Sequence, residues 1–257
     1  MSERKCIGFS ALATESSAVL VDMDGCMIAS GQPLPGAKDL INLCREHLWL
    51  VSNNSSHSAD ELSHYLRGLG LAIPAQRILL AGELVLEEAR ARFPDGAAMI
   101  LARRQLREYA RSRGIMETDE KPDVIILTRD VHLDYRRLSL AIKHLSKGVP
   151  LLVANPDISH PDMDGDPVPE TGSLLAFMKT VLPTLEYEVF GKPEPRLFQC
   201  ALTQSGAAPE DSLMIGDNPH TDCDGAKAVG IRPFLIGRHA NALAPDIATL
   251  LSLRVSL

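Results

Sequence analysis

The chain has 257 residues, with 26 Lys and Arg against 33 Asp and Glu, a formal charge of −7 and 45% hydrophobic residues. That length can bury a sizeable core as one large domain or two modest ones, and 23% charged residues of mixed sign exclude a disordered polyelectrolyte. The acidic balance argues against nucleic acid as a partner, because phosphate backbones are held by clustered Lys and Arg. The one dense basic stretch, residues 103–113, also carries Glu108 and reads as a solvated helix face. No apolar run reaches the ~20 residues of a membrane helix, and residues 1–17 lack the apolar centre of a secretory signal. Five scattered cysteines form no Cys-x-x-Cys pair, so neither a disulfide framework nor a zinc site is indicated, and a reducing cytoplasm is the expected location.

Short apolar runs alternate with helical patterns, which predicts an α/β fold with a largely parallel sheet. The first strand, residues 18–21, is apolar throughout and expected to be buried on both faces. A Gly- and Pro-rich loop leads into a helix over 37–46, then a strand over 47–51 that ends at Ser52. Residues 60–68 form an amphipathic helix with Leu62, Tyr65, Leu66 and Leu69 at helical spacing. A separate α/β unit follows: strand 97–101, helix 104–113, strand 124–127, helix 135–147, strand 151–154, a turn-rich stretch, and helix 173–181. The first pattern then resumes with strand 187–190, helix 196–205, strand 213–215, helix 224–229 and strand 233–236. The expected organisation is a core made of residues 1–80 and 185–257, interrupted by a second unit at 81–184.

Polar clusters follow four of these strands: Asp22 and Asp24, Ser52 to Asn54, Lys192, and Asp217 with Asp222. In an open parallel sheet the ligand crevice lies outside the carboxyl ends of the strands. Residues two apart point to the same side of extended chain, so Asp22 and Asp24 can face one small volume, and Gly25 permits a sharp turn after them. An Asp-Gly turn alone explains Asp24 but not Asp22, a carboxylate ending an apolar strand at a cost. Asp217 repeats that placement. Carboxylates without a His/Cys set at metal spacing suit Mg²⁺ better than Zn²⁺, while Asp224 reads as the cap of the helix that follows. Ser52, Asn53 and Asn54 offer a hydroxyl, amides and backbone N–H groups, which suit a phosphate, and Lys192 could neutralise both an aspartate and a phosphate oxygen.

These strings, DMDGC at 22–26, SNNSS at 52–56, GKPEP at 191–195 and GDNPHTDCDGA at 216–226, resemble in order and spacing the four motifs of the haloacid dehalogenase (HAD) superfamily of aspartyl-phosphate phosphatases. The inserted unit, with IILTRD, LLVANPD and PETGSLLAFM, is similar to the large α/β cap of the 4-nitrophenyl phosphatase-like group, which includes N-acetylglucosamine phosphate, phosphoglycolate and pyridoxal phosphate phosphatases. The resemblance implies a Rossmann-like HAD core with an inserted α/β cap. It makes Asp22 the nucleophile and Asp24 the acid–base partner, with Ser52 and Lys192 holding phosphate. It gives Mg²⁺ to Asp22, the carbonyl of Asp24 and Asp217, with Asp222 in support.

The cap implied by the resemblance should select the substrate, a small phosphate ester. Its loop after residue 154 contains Asp157 and His160, the latter resembling a cap histidine placed near substrate in the pyridoxal phosphate and phosphoglycolate branch. The acids of DMDGD, at 162–166, lack the closing Glu of a calcium loop. Cys26 departs from the small aliphatic or Thr residue more usual after Asp-Gly, and Cys223 lies beside Asp222; inert thiols are the default for both. Dimerisation through the cap is a family expectation. The rival readings on the same fold are a non-hydrolytic phosphoacceptor and a metabolite-binding regulator, which need no acid–base partner beside a nucleophile.

Overall fold

The computed structural model describes residues 6–162 and 166–256. Among these residues the chain divides into two compact units: those up to 52, at 62–79 and from 193 onward form one, those at 53–61 and 80–192 the other. The first opens with β1 (Cys6–Gly8), α1 (Phe9–Glu15) and β2 (Ala18–Val21), followed by the hairpin β3 (Ile28–Ala29) and β4 (Gln32–Pro33). Then come α2 (Ala37–Leu43), β5 (Leu48–Ser52), α3 (Ala59–Gly68) and β6 (Ile78–Leu80).

The second unit runs through α4 (Ala81–Arg92), β7 (Ala97–Leu101), α5 (Arg104–Ser112), β8 (Met116–Glu117), β9 (Val124–Leu127), α6 (Tyr135–Leu145) and β10 (Leu151–Val153). It closes with the hairpin β11 (Ser159–Pro161) and β12 (Pro167–Pro169), α7 (Thr171–Val181) and β13 (Glu188–Val189). The first unit is completed by α8 (Pro195–Ser205), β14 (Ser212–Gly216), α9 (Gly225–Ala228), β15 (Arg232–Leu235), α10 (Ile247–Ser252) and β16 (Arg254–Ser256).

The sheet of the first unit has the order β15-β14-β2-β5-β6. Its central pairs are parallel, with Val21 opposite Ile215 on one side and opposite Leu50 on the other. All four residues of β2 are buried, as a strand sandwiched between helical layers requires. In α3 the spacing also holds, with Leu62 and Leu66 buried, but Tyr65 lies on the solvent side.

The second unit has a parallel sheet of its own, β13-β10-β9-β7-β8. Its strands alternate between two cores. Ala98, Ile100, Val124 and Ile126 face α4 and α5, while Met99, Leu101, Ile125 and Leu127 face α6 and α7. That is why these segments read as continuous apolar runs: with period 2, a sheet covered on both faces makes every position a core position.

The pairing of β13 with β10 keeps the chain in the second unit as far as Lys192, whereas the sequence pattern returns it to the core at 185. A two-residue Glu-Val strand carries no pattern that assigns it to either sheet. Residues 53–61 also pack with the second unit rather than with the segment that leads into them. No helix among the described residues is long and apolar enough to cross a membrane.

Candidate active site

Asp22 is the first residue after β2, 8% exposed, with its N–H donated to the carbonyl of Ile215 at 2.9 Å. Asp217 is the first after β14, the neighbouring strand, so register alone brings the two acids to one edge. Ser52 ends β5 on the other flank of β2 and is buried. A carboxylate oxygen of Asp22, one of Asp217 and the Sγ of Cys26 all lie within 4.8 Å of one another. Gly25 makes this possible. It sits at φ 81°, and a Cβ there would stand 2.1 Å from Oδ2 of Asp217. Asp24 is exposed, beside the tight turn that Gly25 closes by donating its N–H to Ile28.

Asp222 is wholly buried, and its Oδ2 accepts the N–H of Asn218 at 3.0 Å. It packs over Gly216, where a Cβ would meet that of Asp222 at 2.3 Å. The turn after β14 is a π-helical segment, Pro219–Asp224, capped by Asn218, whose Oδ1 accepts from His220 and Thr221. Asp224, read from the sequence as a helix cap, does stand at the N-cap position of α9, but it makes no side-chain cap bond and lies 3.7 Å from both His220 and Lys227. Burial, followed by the charge of Asp222, pushes the Cys223 thiol up to about 11, which makes it a poor nucleophile.

Two close carboxylates repel unless a cation compensates. Asp22 and Asp217 offer hard oxygen donors, and a single thiol beside them falls short of the nitrogen and sulfur set of a tetrahedral zinc site. The donors fit Mg²⁺, which takes one or two carboxylates and fills its octahedron with carbonyls, substrate oxygens and water. Cys26, buried in this ring of donors, is the member that sequence reasoning did not place there.

Asn53, Asn54, Asp157, His160 and Lys192 belong to the second unit. Lys192 is 2% exposed. Asn53 does not keep its amide for a phosphate, as the sequence suggests: Oδ1 accepts the N–H of Lys192 at 2.7 Å, and Nδ2 donates to the carbonyl of Lys192 at 2.9 Å and to Oδ2 of Asp157 at 3.0 Å. The side-chain oxygen of Asn54 likewise turns inward, accepting the N–H groups of Ser56 and His57 at 3.0 Å. Beneath them Asn155, 1% exposed, donates to the carbonyl of Asn53 at 2.8 Å and to Oγ of Ser55 at 3.1 Å. His57 is half-buried, and burial followed by the charge of Arg103 lowers its pKa. His160 lies in β11 opposite Val168, with Nδ1 2.8 Å from Oε1 of Glu170. Asp164 of the acidic string lies outside the described residues.

A family model described as haloacid dehalogenase-like hydrolase matches residues 19–116, and a second, HAD-hydrolase-like, matches residues 189–247. Chronophin from Mus musculus is 33% identical over 223 residues, spanning 81% of this chain and 76% of its own length. The crystal structure of a 4-nitrophenylphosphatase from Thermotoga maritima superimposes with a TM-score of 0.85 at 26% identity, covering 94% of this chain and 98% of that one. A glycerol phosphate phosphatase from Mycobacterium tuberculosis in complex with magnesium gives a TM-score of 0.81 at 25% identity, covering 90% and 71% of the two chains. With strand order, motif placement and these matches in agreement, the chain belongs to the haloacid dehalogenase-like hydrolases, as a phosphatase of the group that holds 4-nitrophenylphosphatase.

Proposed function

We propose that the protein is a Mg²⁺-dependent phosphatase that hydrolyses small phosphorylated metabolites through an aspartyl phosphate on Asp22. The observation that carries this reading is the meeting of Asp22 and Asp217 at the ends of adjacent parallel strands, over a glycine that leaves room for them. The magnesium complex of the Mycobacterium tuberculosis relative supports the choice of metal.

Phosphate monoester hydrolysis is among the slowest uncatalysed reactions, and a covalent intermediate divides it into two transfers. In the first, a carboxylate oxygen of Asp22 attacks phosphorus while Asp24 gives a proton to the leaving alkoxide. In the second, Asp24 takes a proton from water, the hydroxide attacks the phosphorus of the aspartyl phosphate, and Asp22 is released with inorganic phosphate. The exposure of Asp24 suits a group that must meet both a leaving oxygen and incoming water. The Ser52 hydroxyl and the Lys192 ammonium would take equatorial oxygens of the transferring group. Asp22, the main-chain carbonyl of Asp24 and Asp217 would hold Mg²⁺, and Asp222 stiffens the turn that carries Asp217. The ion supplies positive charge that lets an anionic nucleophile approach an anionic ester.

The substrate class is that of 4-nitrophenyl, sugar, glycerol, phosphoglycolate or pyridoxal phosphates, chosen by the second unit with Asp157 and His160 as candidates. Five scattered cysteines with no Cys-x-x-Cys pair support a reducing, cytoplasmic setting. Homodimerisation through the second unit belongs to the same reading and rests on family resemblance. The test is phosphate release from a panel of esters, with and without Mg²⁺, by wild type and Asp22→Asn. Metal-dependent release that falls by at least about 10³-fold in the variant is expected; no metal-dependent release from any ester overturns the reading.

A further inference from the structure

A lysine ammonium is a compact charge on a flexible four-carbon stem with many rotamers. Where it must meet one phosphoryl group, the backbone beneath it has to be fixed. Lys192 stands outside any helix or strand, between Gly191 and Pro193, one residue past the last rung of its ladder, the N–H of Gly191 to the carbonyl of Ala154 at 2.7 Å.

Asn53 takes over where that ladder ends. One side-chain amide brackets Lys192 at both main-chain polar groups, accepting its N–H at 2.7 Å and donating to its carbonyl at 2.9 Å. Lys192 also dictates the orientation of the amide: its N–H can only donate, so the atom facing it must be Oδ1, and Nδ2 is left for the carbonyl. The second hydrogen of Nδ2 goes to Asp157 at 3.0 Å, and with that both donors of the side chain are spent. Asp157 is held in turn, donating its own N–H to Oδ1 of Asn155 at 3.1 Å and accepting the N–H of Gly172 at 2.7 Å. The approach is so close that a Cβ at Gly191 would stand 2.5 Å from Oδ1 of Asn53 and 2.7 Å from the carbonyl of Ala154.

We propose that Asn53 is a positioning residue that acts on the reaction through Lys192, with Asp157 holding it in place. The proposal rests on the reading of Lys192 as the phosphate-holding cation. It separates Asn53 from its neighbour Ser52, whose hydroxyl is assigned to the phosphate itself.

The experiment is a double-mutant cycle on the full chain with Mg²⁺ and 4-nitrophenyl phosphate, using Asn53→Ala, Lys192→Ala and the pair, with thermal unfolding measured on each. Asn53→Ala is expected to lower kcat/KM about tenfold in the wild-type background and less than about twofold when Lys192 is already Ala, with little change in Tm. Equal losses in both backgrounds overturn the proposal, whether they come from direct phosphate contact or, with a falling Tm, from a purely structural role. Affinity for orthovanadate, which mimics the transferring group, carries the same cycle where Lys192→Ala turns over too slowly to follow. If Asn53→Ala does not fold, Asp157→Ala, which spares both bonds to Lys192, takes its place and must show the same dependence on Lys192. Full activity of Lys192→Ala alone sinks the reading of Lys192, and the proposal with it, a result distinct from additivity in the cycle.

Discussion

One hydrogen at Gly25 separates a working pair of acids from a collision. A methyl group there would overlap the carboxylate of Asp217, and φ 81° adds a backbone penalty of roughly 1–2 kcal/mol for any other residue. Gly25→Ala is therefore expected to weaken Mg²⁺ binding and phosphate release together, measured by calorimetric titration of the ion and by turnover; unchanged affinity would separate the glycine from the carboxylate pair. An Asp-Gly dipeptide two residues past an apolar strand makes this position legible in the sequence itself. Asn53 is not legible in the same way. An amide can donate or accept in any direction, and its partners Asp157 and Lys192 lie 104 and 139 residues away in sequence. The motif string marks where such a residue stands, and only the folded chain shows where its hydrogens go. Cys26 is visible as a departure from the family pattern, yet its place among the donors depends on how tightly the turn folds.

Helix boundaries divide along similar lines. The start of α3 is written in Ser58-Ala59-Asp60-Glu61, a capping box in which Ser58 donates its N–H to Glu61 at 2.9 Å and accepts that of Glu61 at 3.3 Å. By contrast α4 follows β6 without an intervening residue, its N-cap Leu80 has no side-chain bond, and the sequence carries no start signal for it. Glu83 of α4 adds a contact between the two helices by accepting the N–H of Ala59 at 2.8 Å. Burial raises its carboxyl from 4.5 to about 7, partly opposed by that same hydrogen bond and by Arg113, while Asp60 and Glu87 push it further up. A raised acid holds its proton in the folded chain after the unfolded chain has released it, so folding stability falls as pH climbs from about 4.5 to 7. Glu83→Gln should flatten that part of the stability profile, read by denaturant unfolding at a series of pH values. A slope unchanged in the variant would assign the loss to other groups.

At the scale of the whole molecule, a formal charge of −7 is compatible with the anionic substrate proposed above, because two of the acids, Asp22 and Asp217, converge where a cation would sit. A ligand that binds only the folded state adds stability by mass action, about 2.7 kcal/mol at a hundredfold excess over Kd. Mg²⁺ should therefore raise the Tm of the wild type and leave that of Asp217→Asn nearly unchanged. A variant that gains as much from Mg²⁺ as the wild type would take Asp217 out of the ion's shell. The alternation of strands and helices makes the α/β architecture readable from residues alone, because apolar runs and amphipathic periods are local. The seam at Lys192 is not, because β13 declares its sheet only by pairing with β10. The same sheet has one more consequence. Its strands and the four helices that cover both of its faces come from the single stretch 80–192, so each apolar layer is filled from within that stretch. On the function proposed above, most of this segment can therefore be remodelled, and the choice of ester with it, while Lys192 at its edge and the strand ends that carry Asp22 and Asp217 go unedited.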